Sequence, residues 1–100
     1  SQIFFMLYSN KLLFMNINEL IEIVKSKIEA EIVIQDFKIE DKSFLHKNHK
    51  GNQEGMFHLK LIIKSEELKR LSKIESTKKI YSILDHELKE HIHSIQILLS

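Results

Sequence analysis

The sequence predicts an α+β domain with a mixed three-stranded sheet and helices on one face. Two segments carry apolar residues at helical spacing after a capping pair, and three segments are rich in β-branched or alternating apolar residues. About 25 residues of helical pattern separate the last two strands, which is long enough to set those strands parallel. The predicted order of elements is therefore α-β-β-α-α-β.

The predicted helices begin at recognisable caps. Asn16 and Glu19 form a capping pair ahead of the first helix, which is predicted to end near Ala30. Ser72 and Glu75 form a second pair ahead of a long helix. Each helix has one apolar face, formed by Ile17, Leu20, Ile21, Val24 and Ile28 in the first and by Ile80, Ile83, Leu84 and Leu88 in the second.

The predicted strands run from Ile32 to Ile39, from Met56 to Lys64 and from Ile92 to Ile97. Alternate residues of the second strand form an apolar face that is expected to point inward, made of Phe57, Leu59, Leu61 and Ile63. Ser65 follows this strand and is expected to cap a short turn before the long helix.

The composition excludes several classes of protein. The 100 residues contain no linker rich in Pro, Gly or Ser, which indicates one domain with a single core. The net charge of +1 gives no strong electrostatic reason to bind nucleic acid or an anionic membrane. Six histidines and no cysteine mean that any metal chemistry must use imidazole or a partner. No phosphate loop, HExxH motif or acid–base pair with a nucleophile is present, so we do not predict an enzyme.

Residues 1–14 precede the predicted domain. They are apolar but interrupted at Ser9, Asn10 and Lys11, and are therefore too short to span a bilayer. They also lack the basic region and the cleavage site of a signal peptide. We interpret them as an extension or a start-site artefact rather than a membrane anchor, and place the domain at residues 15–100 in a cytoplasmic protein.

His93, at the start of the third strand, is the first candidate for a functional residue. Alternate residues of a strand share a face, so we expect His93 to lie with Ile95 and Ile97, and His91 to precede it on the same side. Imidazole is neutral near pH 7, binds metals strongly and can form a hydrogen bond through its second nitrogen. His93 is therefore a candidate metal ligand, with a structural or solvated histidine as the alternative.

The long loop from Asp41 to Gly55 is the second candidate region. It has no periodicity, and it contains Ser43, His46 and His49. Loops of this length without secondary structure are often functional. We therefore treat His46 and His49 as candidate ligands, with a solvated polar loop as the alternative.

The other polar residues are given smaller roles. His86 is expected to pair with Glu90 on the helix surface, and His91 to interact with the carbonyl groups at the helix end. A basic run interleaved with glutamates is interpreted as a solvated face, with nucleic-acid contact as the alternative; it consists of Lys69, Arg70, Lys73, Lys78 and Lys79.

Four segments resemble the BolA family, in that family's order and spacing: Asp41 to Gly51 with its histidines, Phe57 to Ser65, Tyr81 to Leu84, and His93 to Ile95. The resemblance covers about residues 16–98, and the histidine loop and the terminal Ile-His segment are its more specific parts. His58 matches a common histidine of the family. We interpret it as peripheral to the site, because alternation points it away from Phe57 and Leu59.

The resemblance implies a fold similar to class II KH domains. It also implies a protein that pairs with a monothiol glutaredoxin to hold a bridging 2Fe-2S cluster. The family's cluster histidine falls on His93, and its loop ligand falls on His46, with His49 as the competing candidate. A chain without cysteine supplies at most two imidazoles, which leaves a partner cysteine and a glutathione thiolate to complete the ligand set. Because imidazole binds metal only when deprotonated, we expect such a cluster to weaken as the pH falls.

Two alternative functions stay open. The first is a DNA-binding transcriptional regulator that uses the KH-like surface, where the chain departs from the family pattern at residues 68–70 and 76–78. The second is zinc binding by His46, His49 and His93, which would need a fourth ligand and a rigid frame.

Overall fold

A computed structural model describes residues 16–43 and 56–100 and confirms the predicted α-β-β-α-α-β order, except that the last predicted helix is divided into two. The helices in these residues are α1 (Ile17–Glu31), α2 (Glu66–Lys69), α3 (Lys73–Ile83) and α4 (Asp85–Glu90), and the strands are β1 (Asp36–Asp41), β2 (Phe57–Lys64) and β3 (Ile92–Leu99). The predicted extension, residues 1–14, lies outside the described residues.

Helix α1 begins at the predicted capping pair. The Asn16 side chain accepts a hydrogen bond from the Glu19 backbone N–H at 2.9 Å and donates one to the Glu19 carboxylate at 3.0 Å. These bonds satisfy an N–H that lacks a partner within the helix. The buried face consists of Leu20, Val24 and Ile28, as the spacing predicted. No helix within residues 16–43 and 56–100 is long and apolar enough to cross a membrane.

The three strands form one mixed sheet in the order β1-β2-β3. Strand β1 pairs with β2 in the antiparallel direction, and β3 pairs with β2 in the parallel direction that the long crossover predicted. Central strand β2 buries Leu59, Leu61 and Ile63 on the face that carries the helices. Lys60 and Ile62 lie on the opposite face and are only partly buried.

The core lies between the sheet and the helices. It consists of Leu20, Val24, Ile28, Ile32, Leu59, Leu61, Ile63, Leu68, Ile80, Leu84 and Ile92, each at most 3% exposed. An ion pair beside this core ties α1 to α4: the Lys27 ammonium lies 2.7 Å and 3.0 Å from the two carboxylate oxygens of Glu87. Because the Glu87 side chain is only 4% exposed, the Lys27 ammonium, rather than water, stabilises its negative charge.

Strand β1 begins four residues later than predicted. Ile32 caps the end of α1 and is buried, and residues 33–35 lead to the sheet outside the strand, with one backbone bond from Gln35 N–H to the Lys64 carbonyl at 2.8 Å. The Ser65 hydroxyl donates a hydrogen bond to the Val33 carbonyl at 2.7 Å, which ties this crossing segment to the end of β2. Pairing starts only at Asp36, opposite Lys64, because β2 ends there. The β-branched run at 32–34 therefore serves a connection rather than a strand.

The long predicted helix is divided into α3 and α4. The predicted capping box is present at its start: the Glu75 backbone N–H donates to the Ser72 hydroxyl, and the Ser72 N–H donates to the Glu75 carboxylate. The bond from the Ser72 backbone lowers the pKa of Glu75 below its usual value. The helix breaks at Leu84, whose backbone leaves the helical conformation while its side chain stays buried. Neither Pro nor Gly marks this position, so the sequence pattern did not predict the break.

Candidate functional site: a histidine pair at the β2–β3 junction

Strand β3 starts directly after α4, as the sequence predicted. The His91 backbone N–H donates to the Glu87 carbonyl at 2.8 Å and closes the helix, and the next residue, Ile92, is 1% exposed in the core. The side chain of His93 follows immediately and is exposed. The junction is therefore fixed by a helix end on one side and a buried isoleucine on the other.

The pairing of β2 with β3 shifts by one residue at this junction. Phe57 lies opposite Ile92, but the next residue, His58, lies opposite Ser94, so His93 is an extra residue on the β3 side. Such irregularities redirect a side chain relative to the regular strand. The expectation that His93 shares a face with Ile95 and Ile97 is therefore wrong. Those two residues pack against the core, whereas His93 is exposed.

The redirected ring of His93 contacts His58 on the neighbouring strand. The two ring centroids are 5.0 Å apart, and the rings are inclined at 50°. The sequence interpretation of His58 as peripheral is therefore also wrong. Alternation along β2 gives the direction of the His58 side chain, but its neighbour, His93, is set by the parallel pairing with β3. The parallel pairing of β2 with β3, which the sequence did predict, was the available signal.

His58 is held in place from two sides. Its Nδ1 atom lies 2.6 Å from the Ser94 hydroxyl oxygen, and its backbone N–H donates to the Ser43 hydroxyl at 3.0 Å. The residue is only 5% exposed. A depression of about 380 Å³ borders His58 and Ser94 and is also lined by Lys42, Lys60 and Gln96. His93 therefore lies against an imidazole whose orientation the Ser94 hydroxyl restrains.

The two predicted loop ligands, His46 and His49, lie outside the described residues. Among residues 16–43 and 56–100, no group of three or more His, Cys, Asp or Glu side chains is arranged to hold a metal ion. Within the described residues, the candidate site is therefore an exposed histidine, His93, on a supporting histidine, His58.

The remaining histidines lie on or after α4. His86 is exposed, and its ring centroid lies 6.2 Å from that of His91, which is 8% exposed. The ion pair recorded on this helix joins Lys89 to Asp85 at 3.0 Å, whereas the sequence suggested a pair between His86 and Glu90. His91 faces His86 rather than His93, so the expected sharing of a side by His91 and His93 is not observed.

The basic run lies on α2 and α3. Four of its five members have exposed side chains: Lys69, Arg70, Lys73 and Lys78. The fifth, Lys79, forms an ion pair with Glu67 at 3.1 Å, and the hydrogen bond from Lys79 lowers the pKa of the Glu67 carboxyl. Two exposed carboxylates, Glu66 and Glu75, lie on the same two helices, so the four exposed cations are interleaved with negative charge.

These features define the class of protein: a small α+β domain with helices on one face of a mixed sheet and an exposed histidine at the start of its parallel edge strand. The chain belongs to the BolA-like protein family, because the model of that family matches residues 28–100. It is 31% identical over 78 residues to the DNA-binding transcriptional regulator BolA of Haemophilus influenzae, covering 78% of this chain and 73% of that protein.

Solved structures agree with this assignment. The BolA domain of SufE1 from Arabidopsis thaliana superposes with a TM-score of 0.65 at 28% identity, over 77% of this chain and 85% of the other. BolA1 from Arabidopsis thaliana superposes with a TM-score of 0.66 at 24% identity, over the same shares of the two chains, and supports the fold alone.

Proposed function

We propose that this protein is a non-enzymatic adaptor in iron-sulfur cluster trafficking or regulation, which binds a bridging 2Fe-2S cluster together with a monothiol glutaredoxin. The observation that carries the proposal is His93: an exposed imidazole at a fixed strand start, with its ring supported by His58. Membership of the BolA-like family supports the same function.

The donor atoms of the chain suit a shared cluster better than a cluster of its own. Each iron of a 2Fe-2S centre needs two terminal ligands besides the bridging sulfides, and thiolates usually provide them. This chain has no cysteine. His93 supplies one ligand in the proposal and His46 supplies the second, with His49 as the competing loop ligand. A cysteine of the glutaredoxin and a glutathione thiolate complete the set.

His58 acts in this proposal as a positioning residue. A metal-bound histidine gains affinity when its ring is already held in the orientation that binding requires. The contact between the His58 and His93 rings restricts His93, and the Ser94 hydroxyl restricts His58 in turn. His58 itself does not need to touch the cluster.

A reconstitution experiment tests the function. The purified chain is mixed with a cluster-loaded monothiol glutaredoxin in the presence of glutathione, and the visible absorption and circular dichroism spectra are recorded. We expect a new, glutathione-dependent spectrum and a complex of the two proteins on a sizing column. Parallel runs with His46→Ala and His49→Ala identify the loop ligand. A spectrum identical to that of the glutaredoxin alone, with no complex, would contradict the proposal.

Removing the Ser94 hydroxyl should weaken the proposed complex without abolishing it. Ser94→Ala deletes the 2.6 Å contact to His58 Nδ1 and removes one restraint on that ring, so the support of His93 weakens. We expect a roughly tenfold loss of complex stability, at the lower end of the effect of outer partners on metal-bound histidines. Titration of the visible signal measures it.

Two further variants separate positioning from general damage to the strand. Ser94→Thr keeps a hydroxyl and should restore most of the signal, and Gln96→Ala changes the next exposed side chain on the same face and should have no effect. If Ser94→Ala forms a complex as stable as that of the unsubstituted protein, His58 has no positioning role, and the proposed ligand role of His93 is unaffected.

A second candidate function is DNA binding, which the name of the Haemophilus influenzae relative favours. The exposed cations of α2 and α3, among them Lys69, Arg70 and Lys73, offer a surface for phosphate groups. Binding by this surface should weaken steeply as salt rises, because each neutralised phosphate releases counterions. Titration of duplex DNA at several salt concentrations, with Lys69→Gln/Lys73→Gln as the comparison, tests this function. A DNA affinity that changes neither with salt nor with the substitutions would contradict it.

A further inference from the structure

The backbone of His58 is held at the point where β1 leaves the sheet. The last pair of β1 with β2 is Asp41 opposite Leu59. One residue further, the Lys42 backbone N–H donates to the His58 carbonyl at 2.7 Å, which continues the antiparallel pattern. A regular pair returns the bond, from the His58 N–H to the Lys42 carbonyl. The His58 N–H donates to the Ser43 hydroxyl at 3.0 Å, so a side-chain oxygen stands where the ladder would use a backbone oxygen.

The Ser43 hydroxyl is itself held in place. The Ser43 backbone N–H donates to Oδ1 of Asp41 at 2.9 Å, which closes a tight turn at the end of β1. Only one torsion, χ1, separates the Ser43 hydroxyl oxygen from its backbone. The turn therefore restricts the place of this oxygen, and with it the acceptor that the His58 N–H meets.

The bond to Ser43 matters because His58 is almost fully enclosed. The residue is 5% exposed, and a buried backbone N–H without an acceptor costs about as much free energy as a lost hydrogen bond. The ring of His58 has a different partner, since its Nδ1 atom lies 2.6 Å from the Ser94 hydroxyl oxygen. Two serines from opposite sides of β2 therefore hold different parts of His58.

We propose that Ser43 is a positioning residue of the histidine pair. Its hydroxyl holds the His58 backbone, and thereby the point from which the His58 ring reaches to within 5.0 Å of the His93 ring, centroid to centroid. Ser94 restrains the turning of the His58 ring, whereas Ser43 restrains its origin. The effect of Ser43 on a shared cluster rests on the proposed function, but the geometry of the two rings can be measured on the chain alone.

Nuclear magnetic resonance of the histidine rings tests the positioning with the full chain. An aromatic ring shifts the resonances of nearby protons, so the ring resonances of His93 report its distance from His58. We expect Ser43→Ala to move the ring resonances of both residues. Ser43→Thr keeps the hydroxyl and should retain the original resonances. The rings of His86 and His91, whose centroids are 6.2 Å apart, provide a control in the same spectrum and should be unchanged.

Amide hydrogen exchange and cluster binding give two further measurements. Exchange of the His58 N–H should become about tenfold faster in Ser43→Ala, because one hydrogen bond contributes roughly that factor. The complex with the cluster-loaded glutaredoxin should weaken by about the same factor, at the lower end of the effect of outer partners on metal-bound histidines. The matched variant Ser82→Ala removes an exposed hydroxyl on α3 and should change neither measurement.

The measurements distinguish the role of Ser43 from the proposed function. Ring resonances of His58 and His93 that stay unchanged in Ser43→Ala, or that move no more than those of His86 and His91, would overturn the proposal. A failure of Ser43→Thr to restore them, or an unchanged complex beside altered resonances, would also overturn it. If the unsubstituted chain forms no complex with the glutaredoxin, the proposed function fails, and the resonances and the exchange rate still decide the role of Ser43.

Discussion

His93→Ala should abolish the visible spectrum of the complex with a cluster-loaded monothiol glutaredoxin. The substitution removes the exposed imidazole and leaves the buried neighbour Ile92 untouched, so the fold should be retained. No other described histidine reaches the same place, because the His58 ring is buried beneath it and His91 faces His86. In the proposed complex the shared cluster would lack one terminal ligand, so the spectrum should stay that of the cluster-loaded glutaredoxin alone.

The matched control is His86→Ala. His86 is also an exposed histidine close to the start of β3, but its ring lies 6.2 Å from His91 and has no contact with His93. The control should keep the full spectrum, and far-ultraviolet circular dichroism should be the same for both variants. A His93→Ala protein that keeps the spectrum, or a His86→Ala protein that loses it equally, would remove His93 from the ligand role.

Lys27→Met should destabilise the domain by about 2 kcal/mol, which is the cost of leaving a buried carboxylate without its charge-assisted hydrogen bonds. The Glu87 side chain is 4% exposed and both of its oxygens contact the Lys27 ammonium. Partial exposure of Lys27 lets water replace some of the interaction, so the cost stays below that of a fully buried pair. The midpoint of thermal unfolding should fall by about 10 °C in a domain of this size.

The double variant Lys27→Met/Glu87→Leu provides the control for this prediction. Replacing both partners by apolar side chains removes the unpaired charge, so most of the lost stability should return. The double-mutant cycle then gives the coupling between the two residues. If Lys27→Met lowers the free energy of unfolding by less than about 0.5 kcal/mol, as expected for an exposed ion pair, then water replaces Lys27 as the hydrogen-bond donor to Glu87.

Most of the fold could be predicted from the sequence because its signals are local. The capping pairs Asn16–Glu19 and Ser72–Glu75 marked the starts of α1 and α3 correctly, and the alternation of β2 identified its buried face. The length of the crossover predicted the parallel pairing of β2 and β3.

The errors arose where tertiary contacts override a local pattern. The β-branched run at 32–34 looked like a strand, but Ser65 holds it as a connection, and nothing in the helical pattern marked the break at Leu84. The site was only partly predictable for the same reason. The position of His93 at a strand start could be predicted from the sequence, whereas its contact with His58 depends on a one-residue shift in pairing that no single segment encodes.

Because of the one-residue shift at His93, the pairing of β2 with β3 does not use the residue at position 93. The pairings of Ile92 and Ser94 with β2 are made without it, so the side chain there can be exchanged while both neighbours keep their partners. His93→Cys would present a softer donor from an unchanged backbone and lower the reduction potential of the shared centre. In the proposed complex, a change of one codon would therefore alter the reduction potential of the cluster, with no new loop or strand.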